Sequence, residues 1–451
     1  MALAFRSPVQ DRDGWSDNGI CRTHRGRVAN EYGGIVQHQQ QVIVAGAGPT
    51  GLLTALGLAQ QGVSVTVVER GSALQDTPRA IVYHWSTLDG LSRLGLLDKA
   101  SAAGFLKQDY AYRVRDTGEI IPYGLQALEG KVARPFNLHL GQGALAAVVL
   151  RELQKFDNAR VLFDHPISGV KQDDAGVTVT FSGPGAETVL SAQWLVGADG
   201  AGSTVRRVLD LGFDGMTWPE RFVATNIRFP DDREGWAQST FYVDDVYGAI
   251  IAKIDEDGDH GTWRYTYMED AALPADSIDD RMPAFLSAVF GPEVAVGIEI
   301  VATSPYRMHQ RAASSFRAGR VLLAGDAAHA TNPTGGLGLT MGLFDAYALI
   351  ETLGAVALGQ ADDSVLTAYA RERRAAFVEK ASPRASANKR LLFHSSDPVA
   401  RDRDLEMFRR MSHDREFAAE VLRFTKTLES PSLLADRIGR PARADERENV
   451  L

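Results

Sequence analysis

VIVAGAGPTGLLTALGLAQQGVSVTVVE, running from Val42 to Glu69, decides the fold. Val42-Ile43-Val44-Ala45 has the length and composition of a short buried strand. Gly46-Ala47-Gly48-Pro49-Thr50-Gly51 follows, and Leu52, Leu53, Leu56 and Leu58 then lie on a helix that Gly62 ends. Val63, Val65, Val67 and Val68 form a second strand closing on Glu69. The pattern predicts a βαβ unit with G-x-G-x-x-G at its strand-to-helix turn. Glycines there let backbone N–H groups approach a pyrophosphate at the positive end of the helix. Glu69 is placed to accept both hydroxyls of an adenosine ribose, a contact worth about 1.5–3 kcal/mol. Arg70 beside it suits a 2′-phosphate, which Glu69 disfavours.

Two later stretches repeat the design. Leu195-Val196-Gly197-Ala198-Asp199-Gly200 leads into Ser203-Thr204-Val205-Arg206, with Ser203 as an N-cap. VLLAGDAAHATNPTGGLGLTMG, Val321 to Gly342, is again an apolar run, an aspartate and a glycine-rich turn opening a helix. Between them, Trp218 to Tyr267 is rich in aromatic and β-branched residues with period-2 stretches, which predicts a separate antiparallel sheet. Beyond Leu353 the sequence turns helical: Val365–Lys380, then Arg403–Phe424, with Pro383 and Pro398 as breaks.

Composition narrows the classes. A chain of 451 residues, 45% hydrophobic, can bury a large core. Its 48 Lys and Arg against 57 Asp and Glu leave net −9, with no basic face to neutralise phosphates, so no nucleic-acid partner is expected. No apolar stretch reaches the roughly 18 residues of a membrane span. Cys21 is the only cysteine, which excludes an internal disulfide and dithiol redox chemistry and points to the cytoplasm. The ten histidines never adopt zinc-ligand spacing, so no metal is expected. Residues 1–39 read as an N-terminal tail.

Taken in order, the three loops resemble the class A flavoprotein monooxygenases, the para-hydroxybenzoate hydroxylase family, over about Gln41 to Leu391. The shared motifs are the N-terminal G-x-G-x-x-G, the middle D-G-x-x-S-x-x-R and the late G-D-A-A-H…P-x-G-G-x-G. The resemblance implies an α/β fold. Its discontinuous Rossmann-like FAD-binding domain would span 40–109, 134–216 and 304–355. A substrate domain of antiparallel sheet would span 110–133 and 217–303, followed by C-terminal helices over 356–451. It assigns Gly46, Gly48, Pro49, Thr50, Gly51, Glu69 and Arg70 to the ADP half of FAD, and Asp326 to the ribityl chain. Gln142 and Arg79 would lie beside the flavin, and Asp199 would serve both FAD and the nicotinamide nucleotide. Gly335, Gly336, Leu337, Gly338 and Leu339 would present a helix N-terminus, roughly half a positive charge, to the flavin ring. Two departures stand out: Asn332-Pro333 replaces the family's Pro-Pro, and Leu337 replaces the glutamine of G-G-Q-G.

The implied chemistry consumes NAD(P)H and O₂ and hydroxylates a small, electron-rich aromatic, typically a phenol, through a flavin C4a-hydroperoxide. The nicotinamide docks transiently, since no second dinucleotide domain is visible. Water must be excluded, and a hydrogen-bonded base must sit near the substrate hydroxyl. His84, Tyr242, Tyr265, His309 and Pro333 are the candidates, with Tyr247 and Trp263 behind them. A halogenase or reductase on the same fold is the alternative, although the W-x-W-x-I-P signature of flavin halogenases is absent. A monomer or homodimer is expected.

Overall fold

The strand Gln40–Ala45, the helix Pro49–Gln60 and the strand Val65–Val68 form the βαβ unit, with the two strands parallel and Val42 opposite Val65. A computed structural model describes residues 40–75, 81–182, 188–228, 236–255 and 261–434. The parallel sheet continues on both sides of this unit. Ala159–Leu162 flanks Val65–Val68, while Thr188–Gly197 and then Val321–Leu323 flank Gln40–Ala45. The three glycine loops therefore leave the ends of neighbouring strands on one edge. That is where an open parallel sheet takes a ligand.

Helix Pro49–Gln60 packs against the long helix Leu337–Ala357. The latter, at 21 residues, is long and apolar enough to cross a membrane, contrary to the sequence expectation that no stretch reaches that length. Most of its apolar surface is buried inside the fold, which accounts for its composition.

Among the described residues the second sheet has eight strands, with His329–Ala330 a short edge strand beside Glu299–Ala313. Phe213–Arg228 and Glu299–Ala313 pair along most of their length, and Trp263–Asp270, Ala249–Lys253, Ser239–Val243, Asp109–Val114 and Ile120–Gly124 extend the sheet outward. The two long strands run unbroken through 216/217 and 303/304, so those expected domain boundaries fall inside strands. A small sheet of Val82–Tyr83, Asn137–His139 and Phe105–Lys107 lies between the two larger ones in sequence.

The C-terminal region is helical, with a break at Pro398 as expected but none at Pro383. Pro383 does not interrupt it: Ser364–Ala375 passes through a π-helical segment, Ala376–Ala381, into Ser382–Phe393. The wider turn rearranges the i→i−4 ladder just where the proline lacks its N–H. Pro398 opens Pro398–His413, and Asp414 then starts Arg415–Leu422, its carboxylate accepting from Phe417 N at 3.0 Å.

Candidate functional site

At the first loop, Glu69 braces the turn it was expected to serve. Its Oε2 accepts from Ala47 N and its Oε1 from Gly71 N, both at 2.9 Å. Carboxylate oxygens have further lone pairs, so acceptor capacity remains. The glycines divide by role. A Cβ on Gly51 would lie 2.1 Å from the Gly46 carbonyl oxygen, so this glycine lets helix and strand pack. A Cβ on Gly48 would meet nothing within 4 Å, so there the backbone borders open space. Gly48 caps the helix without a side-chain hydrogen bond, and the first intrahelical bond is Leu52 N to Gly48 O. Helix geometry leaves the preceding N–H groups for a ligand. Arg70 is exposed at the strand end.

The late loop carries Asp326, exposed, in a single turn Gly325–Ala327. Beneath it lies a fully buried charge cluster that motif reading missed. Asp345 accepts from Gly325 N at 2.9 Å, from His329 Nε2 at 2.6 Å and from Arg373 Nε at 2.7 Å. Burial pushes this carboxyl up, but His329 and Arg373 outweigh it and hold the group below the ordinary aspartate value. Thr50 joins the loops, because a Cβ on Gly325 would come within 2.8 Å of its Oγ1. In the middle loop Asp199 is committed locally. Its carboxylate accepts from Ser203 Oγ at 2.5 Å and from Thr204 N at 2.6 Å and Val205 N at 3.1 Å. Ser203 Oγ in turn accepts from Arg206 N, as the N-cap expectation requires. Arg206 spans to the late loop by donating to Ala327 O at 2.8 Å.

The turn before the long helix explains one departure from the family pattern. Buried Asn332 accepts from Thr334 N at 3.1 Å and donates to Gln310 Oε1 at 3.0 Å, holding the turn with hydrogen bonds a second proline lacks. Gly335 and Gly336 have φ of 93° and 67°, a left-handed pair that side chains resist. Gly336 is the N-cap of the long helix, again with no side-chain cap. Leu337 is buried with Met341 and Phe344, an apolar replacement for the glutamine. Gly338 and Leu339 follow in the first turn of that helix.

This turn is one wall of a cavity, lined also by His84, Val82 and Asn137, by the aromatic rings of Tyr110, Tyr112, Tyr123 and Phe241, and by the C-terminal residues Phe408, Leu422 and Phe424. Pro333 and His84 are therefore brought together, as expected. His84 Nδ1 lies 2.6 Å from Thr340 Oγ1, whose hydroxyl donates to Gly336 O at 3.1 Å, so Nδ1 carries the proton and Nε2 presents a lone pair. Burial lowers this imidazole to about 4, so it is neutral at ordinary pH.

Tyr242, Tyr265 and His309 do not line the cavity, and for the two tyrosines strand parity is the reason. Along Trp263–Asp270, Arg264 and Thr266 face the cavity, whereas Trp263, Tyr265 and Tyr267 face the opposite side and pack against the helix Ile278–Phe290. Tyr242 belongs to the same outer cluster. Tyr247 packs edge-on against Phe285 of that helix, whereas His309 bonds Thr217 Oγ1 at 2.9 Å on the neighbouring strand and lies within electrostatic reach of Asp326 in the late loop. Gln142 begins the helix Gln142–Leu153, half-buried and away from the cavity lining. Arg79 falls in 76–80, outside the described residues.

Comparison with known proteins agrees with this arrangement. The family described as "FAD binding domain" matches residues 39–384. 6-Hydroxy-3-succinoylpyridine 3-monooxygenase HspB of Pseudomonas putida (strain DSM 28022 / S16) is 44% identical over 393 residues, 87% of this chain and 99% of that protein. A 3-(3-hydroxy-phenyl)propionate/3-hydroxycinnamic acid hydroxylase of Escherichia coli O81 (strain ED1a) is 32% identical over 75% of this chain, which spans 60% of that longer protein. The crystal structure of p-nitrophenol 4-monooxygenase PnpA from Pseudomonas putida DLL-E4 superposes with a TM-score of 0.83 at 38% identity, covering 87% of this chain and 98% of that one. Three glycine loops on one sheet edge, the late one also walling an aromatic cavity, and these matches together place the chain in the class A FAD-dependent aromatic monooxygenases.

Proposed function

We propose that this protein is an NAD(P)H- and O₂-consuming FAD monooxygenase that hydroxylates a small phenolic or similarly electron-rich aromatic. One observation carries the reading: the Pro333–Leu337 turn belongs both to the cofactor loop and to the aromatic-walled cavity, so cofactor and substrate share one space. FAD fits the site. Open space lies in front of Gly48, the helices after Gly48 and Gly336 are both uncapped, and Asp326 is exposed at the late strand end. When bound, FAD supplies the two-electron carrier that activates O₂ for insertion into the ring.

Gly46, Gly48, Pro49, Thr50 and Gly51 hold the pyrophosphate, Glu69 the ribose and Asp326 the ribityl chain. Gly335, Gly336 and Leu337 hold the flavin ring at the helix N-terminus, and Pro333 borders the substrate. His84, kept neutral, accepts a hydrogen bond from the substrate hydroxyl through Nε2 and orients the ring. The apolar walls exclude water. The named relatives act on a hydroxypyridine, a nitrophenol and a hydroxyphenylpropionate, all hydroxylated aromatic rings. The need for NAD(P)H and the single cysteine support a cytoplasmic reaction.

The test is a panel of hydroxylated aromatics, following NADH and NADPH oxidation, oxygen uptake and product mass together. At least one compound should stimulate all three, with a product heavier by one oxygen atom. Pyridine-nucleotide oxidation that no aromatic stimulates would overturn the reading.

A further inference from the structure

One hydroxyl in the cavity wall has a direction that its partners dictate. Buried Asn137 accepts through Oδ1 from Trp85 N at 2.7 Å. A backbone N–H can only donate, so this bond assigns the amide and leaves Nδ2 as the atom facing Tyr110. Nδ2 donates to the Tyr110 hydroxyl oxygen. That oxygen is therefore an acceptor towards Asn137, and its own proton points elsewhere. Among the described residues no acceptor takes the proton, and Tyr110 lines the cavity. A buried donor left without a partner is costly, and a ligand oxygen removes that cost.

The ring that carries the proton is held in place. Tyr110 belongs to the sheet strand Asp109–Val114 and stacks on Tyr123 with centroids 5.2 Å apart. The buried Lys107 amine lies over the same ring, 4.2 Å from its centroid. Burial pushes the Tyr110 phenol well above its ordinary value, more than the Asn137 hydrogen bond lowers it, so the proton stays on at neutral pH. His84 has the opposite sense, because its Nδ1 is committed to Thr340 and its Nε2 presents a lone pair. The two groups stand on different walls. Nε2 lies at the glycine turn, 3.9 Å from where a Cβ on Gly336 would be, whereas Tyr110 stands among the aromatic rings of the sheet. Asn137 grips both Tyr110 and Trp85, the residue after His84, so one amide sets the donor relative to the acceptor.

We propose that Tyr110 is a specificity-determining residue. It donates to a second substituent of the bound ring, so the cavity selects a hydroxyaromatic that also bears a carbonyl or comparable oxygen acceptor. The proposal rests on the monooxygenase reading for the ring hydroxyl at His84, but the selection is measurable by binding alone. Losing one neutral hydrogen bond of this kind lowers affinity about three- to tenfold.

The experiment titrates FAD-loaded wild type, Tyr110→Phe and Asn137→Asp with matched ligands, by calorimetry and by perturbation of the flavin absorbance. The pairs are para-hydroxyacetophenone with para-ethylphenol, meta-hydroxyacetophenone with meta-ethylphenol, and para-hydroxybenzaldehyde with para-cresol. In at least one pair the carbonyl-to-alkyl affinity ratio should fall about three- to tenfold from wild type to Tyr110→Phe, while the alkyl member changes less than about twofold. Asn137→Asp keeps the Tyr110 ring and the acceptor for Trp85 N, but its carboxylate takes the phenol proton and turns it out of the cavity. The ratio should fall there too, which lost ring packing would not produce. The aspartate variant decides the matter if the phenylalanine variant fails to retain FAD. Ratios within about twofold of wild type in all pairs, in either variant, would overturn the proposal. That outcome includes both members of a pair weakening together, which would place the Tyr110 proton on the ring hydroxyl instead. A fall in the ratio without hydroxylation of any ligand would refute the monooxygenase reading alone, and hydroxylation with unchanged ratios would refute this one alone.

Discussion

Replacing Asp345 with asparagine tests whether the cluster under the late loop holds that loop in place. The carboxylate takes a backbone N–H from Gly325, a ring nitrogen from His329 and the Arg373 Nε, and all three side chains are fully buried. Arg373 makes neutral contacts besides, to Leu428 O at 2.6 Å and Met341 O at 3.3 Å, but Asp345 is its ion-pair partner. Neutralising one side of a buried pair leaves the other charge stranded, at a cost of about 3–5 kcal/mol. Deleting both charges should cost less than the two single changes added together, because the stranded charge is gone. A shortfall of about 1–3 kcal/mol is expected for residues in direct contact. Urea unfolding of FAD-saturated wild type, Asp345→Asn, Arg373→Met and the double variant, followed by tryptophan fluorescence, closes the cycle. FAD affinity should drop with stability in Asp345→Asn, since Gly325 precedes Asp326 in the turn. A single variant less than about 1 kcal/mol below wild type, or a double variant losing the full sum, would show that the three groups do not act as a unit.

Two further outcomes follow from the geometry. Gly48→Ala should retain the fold and lose FAD, because its new methyl points into open space, whereas Gly51→Ala should lose stability first, because its methyl strikes the Gly46 carbonyl. Thermal unfolding of the apoproteins beside FAD titrations separates the two, and normal FAD affinity in the Gly48→Ala variant would remove the first loop from the cofactor site. The second concerns acid. His84 is held at about 4 in the fold against about 6.5 when unfolded, so the unfolded chain binds the proton more readily. The stability of the neutral form is therefore complete above about pH 6.5 and is lost as pH falls from there to about 4, by up to roughly 3 kcal/mol. Unfolding midpoints at intervals across that range should fall less steeply in His84→Asn; an unchanged slope would contradict the burial of a neutral ring.

The nucleotide half was legible in the sequence because its constraints are local. A glycine such as Gly51 or Gly336 answers to a clash or a positive φ that nearby chain geometry imposes. The cavity was legible only in part. The pattern of Trp263–Tyr267 places it in a sheet, but which face borders the cavity depends on a parity set by neighbouring strands, so the sequence points to Tyr265 where the structure puts Arg264 and Thr266 on the cavity side. An arginine within an apolar strand was the available signal. The buried Asp345 was hidden in a helix whose other residues read as core, and its partners lie 16 and 28 positions away. Asn332 looked like a departure from a motif until its hydrogen bonds to Thr334 and Gln310 were visible.

The order of strands in the parallel sheet bears on how the protein is made. Val321–Leu323 pairs with Thr188–Gly197, which pairs with Gln40–Ala45, so the sheet edge that gathers the three loops is stitched from distant chain. At about 5–20 residues per second of synthesis, the first loop waits roughly 15–60 s for the third to emerge. For about the last 6–25 s of that interval, once Leu195 has been made, Val321's place beside it is an unpaired strand edge, available to other chains. Such non-local pairing folds slowly. Yield in a cell should therefore depend on chaperone capacity and on free FAD at the moment of closure, more than on the stability of the finished fold.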